Sequence, residues 1–579
     1  MNNIKKFTKG LGVQSVIAPL FKFLEAAMEL ITPFIVKDII NNGIPLAMET
    51  GDTSYIIIRF IIMLAFALGG FGFSVIAQYF AARVASVYSC RLRKGLFEHI
   101  LTLSYKELDQ LGKGKLLTRM TSDINQVQTG INMFLRLLLR SPFVMLGSLI
   151  MAFLISWKMG VIFAITIPLL FVVVLVIINK TLPKYVEIQS SLDEVTRLSR
   201  ENLSGVRVVR AFTYEEKQTE KFNIANEKLK EKQYRTSRVS ALINPISFLI
   251  VNVAIIVVVY LGGFEVNVGD LKNGDIIALF TYMNLMLVET IKFANLIVTL
   301  TKAIASAKRV DAMFDVKNSI KTEESIDAKD KEYIEFDNVN LSYNGNGYAL
   351  ENINVKIKKG STIGIIGGTG SGKTSFINLL CHFYDVTDGQ IYFDGHNLNS
   401  YSPDELRKKI GLVPQKAVLF KGTIKSNLLW GNKDATEEDI NDALKTAQAL
   451  EVVKGKTKGL DEEVEQGGKN FSGGQRQRLT IARALVKKPE ILILDDSSSA
   501  LDFETDLKLR RAIKELNKDM TVFIISQRTS SLLGCDNILL LNQGKLVDEG
   551  THEELLSRNS LYQEIHSFQF GKGGAKNEK

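Results

Sequence analysis

Only three cysteines occur in 579 residues, and Cys90, Cys381 and Cys535 stand too far apart to form a metal module or a disulfide framework. They read as reduced thiols in a cytosolic environment. No internal repeat of solenoid period is visible, which excludes an array architecture. The first residues lack a short apolar core followed by a small-residue cleavage site, so no removable leader is expected. Acidic balance is lacking too: 71 Lys+Arg face 62 Asp+Glu. An excess of this size invites a nucleic-acid reading, but the position of the basic residues argues against one.

Charge is missing from three long stretches, 60–82, 159–179 and 241–264, each long enough to cross a bilayer core of ~30 Å. Three weaker stretches accompany them. Residues 141–157 form a shorter uncharged run, 276–300 is broken by Glu289 and Lys292, and 16–40 is broken by Lys22, Glu25, Glu29 and Lys37. The expectation is six spans, the first being the least apolar. Pro19, Pro33, Pro142, Pro168 and Pro245 fall in or beside these segments and read as tolerated kinks. Loop 41–54 has no Lys or Arg and loop 265–275 has only Lys272, whereas 83–130 carries eight and 181–240 carries twelve. Basic residues remain on the cytoplasmic side of a membrane, so the N-terminus, both long loops and the C-terminal half are placed in the cytoplasm of a multi-pass plasma (inner) membrane protein. The basic residues therefore report orientation, and nucleic acid is not an expected partner. Arg136 and Arg140 flank a span end and read as snorkelling side chains. Glu289 and Lys292, one turn apart, form either a local ion pair or part of a translocation path.

The C-terminal half has a different pattern. Short apolar runs at 333–336, 361–366, 411–413, 491–494, 522–526 and 538–541 alternate with helical segments, the pattern of a largely parallel α/β sheet. The second run feeds Gly367-Gly368-Thr369-Gly370-Ser371-Gly372-Lys373-Thr374, a glycine-rich turn from strand to helix whose free N–H groups cradle phosphate. Lys373 is placed for the β/γ-phosphates and Thr374 for Mg²⁺, and Asp495, closing the run 491–494, supplies the metal carboxylate. Together they describe a magnesium–nucleotide site. The domain reading is a transmembrane domain at 1–307, a linker at 308–332, a nucleotide-binding domain at 333–567 and a flexible tail at 568–579.

A second motif is narrower than a phosphate loop. Phe471-Ser472-Gly473-Gly474-Gln475, about twenty residues before Asp495, resembles the signature of ATP-binding cassette (ABC) transporters. The resemblance implies that two cassettes sandwich two ATP molecules, with Ser472 and the signature glycines facing nucleotide held by the opposite subunit. It also implies that Tyr343 stacks on adenine, although by itself this residue reads as a core tyrosine. Gln415 would touch Mg²⁺ and the attacking water, Glu465 would lie in a loop facing the cytoplasmic helices, and Asp502 would cross the cassette interface. Residues 116–123, 201–212 and Ser156-Trp157 with Pro168 are similar to six-span exporter half-transporters. The implied fold is an all-α transmembrane domain of six helices with long cytoplasmic extensions, fused to an α/β P-loop cassette.

Two positions depart from the family pattern. Asp496 stands where the family has the glutamate that orients the attacking water, and Gln527 where it has the switch histidine. The first loses one methylene of reach; the second donates a hydrogen bond but carries no positive charge. With Gln415, these are the candidate catalytic residues. The chain's own site is accordingly read as binding ATP but hydrolysing it weakly, while the intact signature completes the site of a second half-transporter. The functional expectation is ATP-driven export of an amphipathic substrate (drug, lipid or peptide-like), including multidrug efflux, with membrane lipid as surroundings. A slow homodimer, an ATP-gated channel or regulator on the same fold, and a soluble ATPase with a buried helical domain remain the alternatives.

Overall fold

The computed structural model describes residues 2–320, 332–343, 345, 347–516 and 519–570. Part of the expected linker, 321–331, and tail residues 571–579 lie outside the described residues. The chain divides into two compact units, one of Met1–Leu101 with Lys113–Val316, the other of Thr102–Gly112 with Lys317–Lys579.

The first unit is helical. Five stretches among the described residues are long and apolar enough to span a membrane: Ser54–Thr102, Lys113–Ile155, Trp157–Ser204, Glu215–Val268 and Asn273–Met313. At ~1.5 Å per residue, a helix of 49 residues such as Ser54–Thr102 runs ~70 Å, far beyond a ~30 Å hydrocarbon layer. A sixth helix, Gly12–Asp38, packs with them, and its charges account for its lower hydropathy. Lys22 lies on the same helical face as Ala18, Ala26 and Leu30, and all four are buried. The last span continues to Met313, so position 307 falls inside a helix.

The structure corrects the snorkelling expectation for Arg140. Its side chain is buried, and the guanidinium meets Glu289 Oε1 at 2.7 Å and Glu29 Oε2 at 2.5 Å. Ser141 Oγ and Lys292 Nζ donate to the same Glu289 carboxylate, each at 2.7 Å, and Lys22 Nζ pairs with Glu25 Oε2 at 2.5 Å. A span-end arginine snorkels only when water is its best partner. Here two neighbouring helices each present a carboxylate, which satisfies the cation inside the bundle. The Glu289–Lys292 pair is formed as one edge of this larger network.

The second unit contains two main sheets. Its six-stranded sheet runs in the order Lys545–Gly550, Asn537–Asn542, Thr362–Ile366, Thr521–Ile525, Ile491–Asp495, Ile410–Val413. All neighbours are parallel except the edge strand Lys545–Gly550. The four central strands are buried almost throughout, which explains why they read as unbroken apolar runs. The run near 333 behaves differently. Ile334–Leu341 joins an antiparallel sheet with Leu350–Ile357, Asp388–Phe393 and His396–Asn397. Alternating burial along Leu350–Ile357 marks a sheet with one face in the core and one in water. Between the sheets lies the helix Lys373–Leu380, whose Phe376 stacks on Phe336 with centroids 4.2 Å apart. Thr102–Gly112, inserted in sequence between two spans, belongs to this unit: Tyr384 Oη donates to Asp109 Oδ2 at 2.6 Å and the Tyr105 and Phe383 rings lie 4.4 Å apart.

Candidate nucleotide site

Parallel strands end together, and here the register decides which loops meet. Ile525 pairs with Ile365 on one side and with Asp495 on the other, while Val413 pairs with Leu494. The glycine-rich turn, Gln527, Asp495-Asp496 and Gln415 therefore leave the same carboxyl edge of the sheet, where open α/β sheets bind ligands. Extending the register places Gln415 opposite Asp496, and Gln415 Nε2 donates to Asp496 Oδ2 at 3.3 Å.

The turn is built by close backbone approach. A Cβ at Gly367 would sit 2.2 Å from the Leu541 carbonyl oxygen, and Gly372 adopts φ +102° at the start of the helix Lys373–Leu380. Neither position accepts a side chain without moving backbone. Gly368, Thr369 and Gly370 are exposed at the tip, and Ser371 is buried beneath them. Lys373 Nζ donates to the carbonyls of Gly367 and Gly368, both at 2.7 Å. Burial holds the Lys373 ammonium below the ordinary lysine range, opposed by the charges of Asp495 and Asp496. Burial also raises the Asp495 carboxyl above the usual carboxylate range, the neighbouring Asp496 charge adds to this, and Lys373 opposes it. Both shifts arise from buried charges short of counter-ions, a deficit that a phosphate chain with its cation would make good.

Magnesium fits these donors. Thr374 offers a hydroxyl, Asp495 a carboxylate and Gln415 an amide oxygen, all hard oxygen ligands. No group of three or more His, Cys, Asp or Glu side chains poised for a metal exists among the described residues, as suits an ion held largely by phosphates and water rather than by a protein cage.

Asp496 has φ +46°, in the left-handed region, and Ser499 Oγ donates to its carbonyl at 2.8 Å. Aspartate is one of the few side chains enriched in that conformation. Gln527 is exposed, two residues past the strand Thr521–Ile525. Tyr343 is half-buried; its hydroxyl donates to Ser375 Oγ at 3.1 Å and accepts from Asn378 Nδ2 at 3.3 Å, tying it to the phosphate-loop helix.

The signature opens the helix Gly473–Val486. Ser472 is its N-cap, with Oγ accepting from Gln475 N–H at 3.3 Å and Gln475 Oε1 accepting from Ser472 N–H at 3.0 Å. Gly473 and Ser472 are exposed, so the positive end of the helix dipole faces outward. Phe471 is buried and anchors the turn. Among the described residues, residues 471–475 form no hydrogen bond or ion pair with the phosphate loop, Asp495 or Gln415. The glycine-rich turn lies at the carboxyl edge of the sheet, and the signature helix opens with its N-terminus exposed elsewhere on the cassette unit. Sequence reading missed one participant at that edge, Gln569, whose side chain reaches the Gln527 carbonyl across 42 residues of chain.

The family description "ABC transporter transmembrane region" matches residues 15–290, and "ABC transporter" matches 350–499. The chain is 34% identical over 577 residues to YfiB of Bacillus subtilis, described as an uncharacterized ABC transporter ATP-binding protein, with 100% of both chains covered. It is 32% identical over 500 residues to the ATP-dependent lipid A-core flippase of Syntrophus aciditrophicus, covering 85% of this chain and 83% of that one. In fold it is similar to a bacterial Atm1-family ABC exporter with ATP bound, with TM-score 0.81 and 23% identity over 97% of this chain and 99% of that one. The phosphate loop, the signature helix and the helical membrane unit lie on one chain that YfiB matches over its whole length, and it belongs to the ABC transporter family, as a multi-pass membrane protein with an ATPase cassette coupled to transport.

Proposed function

We propose that this chain is one half of a dimeric exporter that moves an amphipathic substrate outward across the plasma membrane, paired with a second half-transporter of different sequence. Lipid A-core flippases among its relatives support a lipid-like substrate class. The observation that carries the heterodimer is the contrast between two intact binding surfaces and two altered side chains at the chemistry. The phosphate loop and the signature helix are complete, whereas Asp496 and Gln527 replace the family's glutamate and histidine.

The division of labour follows from the side chains. The loop N–H groups and Lys373 would hold the phosphates; Thr374, Asp495 and Gln415 would hold Mg²⁺, which would supply charge neutralisation there. Asp496, shorter by one methylene and turned by its left-handed backbone, orients water poorly. Gln527 contacts the γ-phosphate without adding charge. Ser472 and the helix behind it face the partner's nucleotide, so hydrolysis proceeds mainly at the site built from the partner's phosphate loop and this chain's signature. The helix Tyr105–Leu111, packed within the cassette unit through Asp109 and Tyr105, follows the cassette as it closes.

Lys373→Ala should weaken nucleotide occupancy at this chain's site by about 10- to 100-fold, the weight of one charge-assisted hydrogen bond. Transport should fall less than after the equivalent change in the partner, as measured by nucleotide occupancy and vesicle uptake. Ser472→Ala and Gly474→Asp should reduce turnover of the heterodimer more than Asp496→Asn does. A Cβ at Gly474 already sits 3.0 Å from the Ala500 carbonyl oxygen, so an added carboxylate both crowds and repels there. If Asp496→Asn abolishes turnover while both signature variants retain it, the working site is this chain's own and the proposal fails.

A further inference from the structure

The segment that carries Gln527 has no strand or α-helix of its own to fix it, yet it is held at three points. Arg510 Nη1 donates to the carbonyls of Ser530 and Ser531, each at 3.1 Å, securing its far end. The near end is held by the last described helix, Ser560–Phe570. Gln569 Oε1 accepts from Thr529 N–H at 2.9 Å and from Thr529 Oγ1 at 3.1 Å, and Gln569 Nε2 donates to the Gln527 carbonyl at 2.7 Å. Thr529 is fully buried, and its Oγ1 also lies 3.0 Å from His566 Nδ1, one turn earlier on the same helix.

One side-chain amide therefore satisfies both a donor and an acceptor of the turn, two residues apart. The acceptor belongs to the peptide that leaves Gln527, so its direction sets the rotation of the Gln527 backbone and the place of its exposed side chain. Releasing it leaves that peptide held by one hydrogen bond, from Arg528 N–H to Ser526 Oγ at 3.0 Å, and the peptide can turn without breaking any strand pairing, because the strand Thr521–Ile525 has already ended. Displacement of a reactive or binding group by about 1 Å is enough to lose much of its effect.

We propose that Gln569 is a positioning residue for the nucleotide site: it acts through the Gln527 backbone, so that the C-terminal helix Ser560–Phe570 controls how well the cassette distinguishes ATP from ADP. The inference rests on Gln527 being the γ-phosphate contact. It adds a control element that neither the phosphate loop nor the signature supplies, since any partner or covalent change that shifts this helix alters γ-phosphate sensing without touching the nucleotide.

The test uses the full-length chain in nanodiscs, so that every phosphate loop present is of this kind, with ATP and ADP affinities read by competition against a fluorescent ATP analogue. Gln569→Ala should weaken ATP by about fivefold, the net worth of one hydrogen bond, while ADP stays within about twofold. Gln569→Glu keeps the acceptor for Thr529 but sets a carboxylate oxygen against the Gln527 carbonyl, and should lose the ATP preference to a similar extent with the same melting temperature. A merely structural role would weaken both nucleotides together. That outcome, or an unchanged ATP-to-ADP ratio in both Gln569 variants while Gln527→Ala lowers it, overturns the inference and leaves the role of Gln527 standing. An unchanged ratio in Gln527→Ala overturns both.

Discussion

Changing Asp496→Glu together with Gln527→His is expected to raise the ATP turnover of this chain, purified alone in nanodiscs, by about 10²-fold. The longer side chain restores ~1.5 Å of reach, and a misplacement of ~1 Å at the reacting water costs up to ~10²-fold. The opposing effect is backbone strain. Residue 496 sits at φ +46°, and a non-glycine residue less suited than aspartate pays of order 1 kcal/mol in the left-handed region. A 10²-fold gain corresponds to ~2.7 kcal/mol of barrier, so the gain outweighs the strain. Gln415, 3.3 Å from the present carboxylate, must yield to the longer side chain, and it is exposed and free to do so. Histidine at 527 adds a donor able to carry charge beside the γ-phosphate. Each single variant should recover less than the pair, because water positioning and γ-phosphate contact act on one transition state. The signature is intact, so two copies of the chain contain all the parts needed for the gain. Wild-type turnover near the ~10 s⁻¹ typical of enzymes, measured with no partner present, would remove the basis for an asymmetric pair.

What was legible in the sequence follows from which constraints are local. The phosphate loop shows because its glycines, lysine and threonine fall in one run of eight residues after a buried strand, although the contact that forbids a side chain at Gly367 comes from Leu541, far along the chain. The signature shows because an N-cap, two glycines and a glutamine fall in one turn. The antiparallel pairing of Ile334–Leu341 is not legible in the sequence because a short apolar run gives no hint of its partner, and Leu350–Ile357 hides its apolar residues between polar ones. Gln569 was invisible for a different reason. Its two contacts are with Gln527 and Thr529, far away in sequence, and a glutamine near a chain end has no pattern to mark it. Hydropathy alone undervalued the first helix, since Lys22 and Glu25 count against a span although they pair with each other inside the bundle.

Arg140→Ala is expected to be the most damaging single truncation in the membrane unit, lowering its stability by about 3 kcal/mol, the low end of what breaking a buried ion pair costs. The guanidinium ties together three helices: its own, Arg140–Ile155, the first helix through Glu29, and the last span through Glu289. Glu289 is 2% exposed, so its carboxylate cannot recover the lost interaction from water. Lys292 and Ser141 still reach it, and Glu29 is about a third exposed, which is why the loss stays at the low end. Leucine-rich helices gain little by leaving lipid for one another, so a polar tie of this kind sets which faces meet. Glu289→Gln in the Arg140→Ala background removes a buried carboxylate left with Lys292 as its one cation and should return part of the stability, giving a coupling of at least ~1 kcal/mol in a double-mutant cycle. The measurement is thermal unfolding of the full chain and the three variants in nanodiscs. If the two substitutions add without coupling, Arg140 and Glu289 do not depend on each other in the bundle. The arginine would then be held by its other carboxylates, and the tie between the first and last spans would come from the Lys37–Asp275 ion pair at 2.9 Å and from Tyr282, whose hydroxyl donates to the Leu30 carbonyl at 2.7 Å.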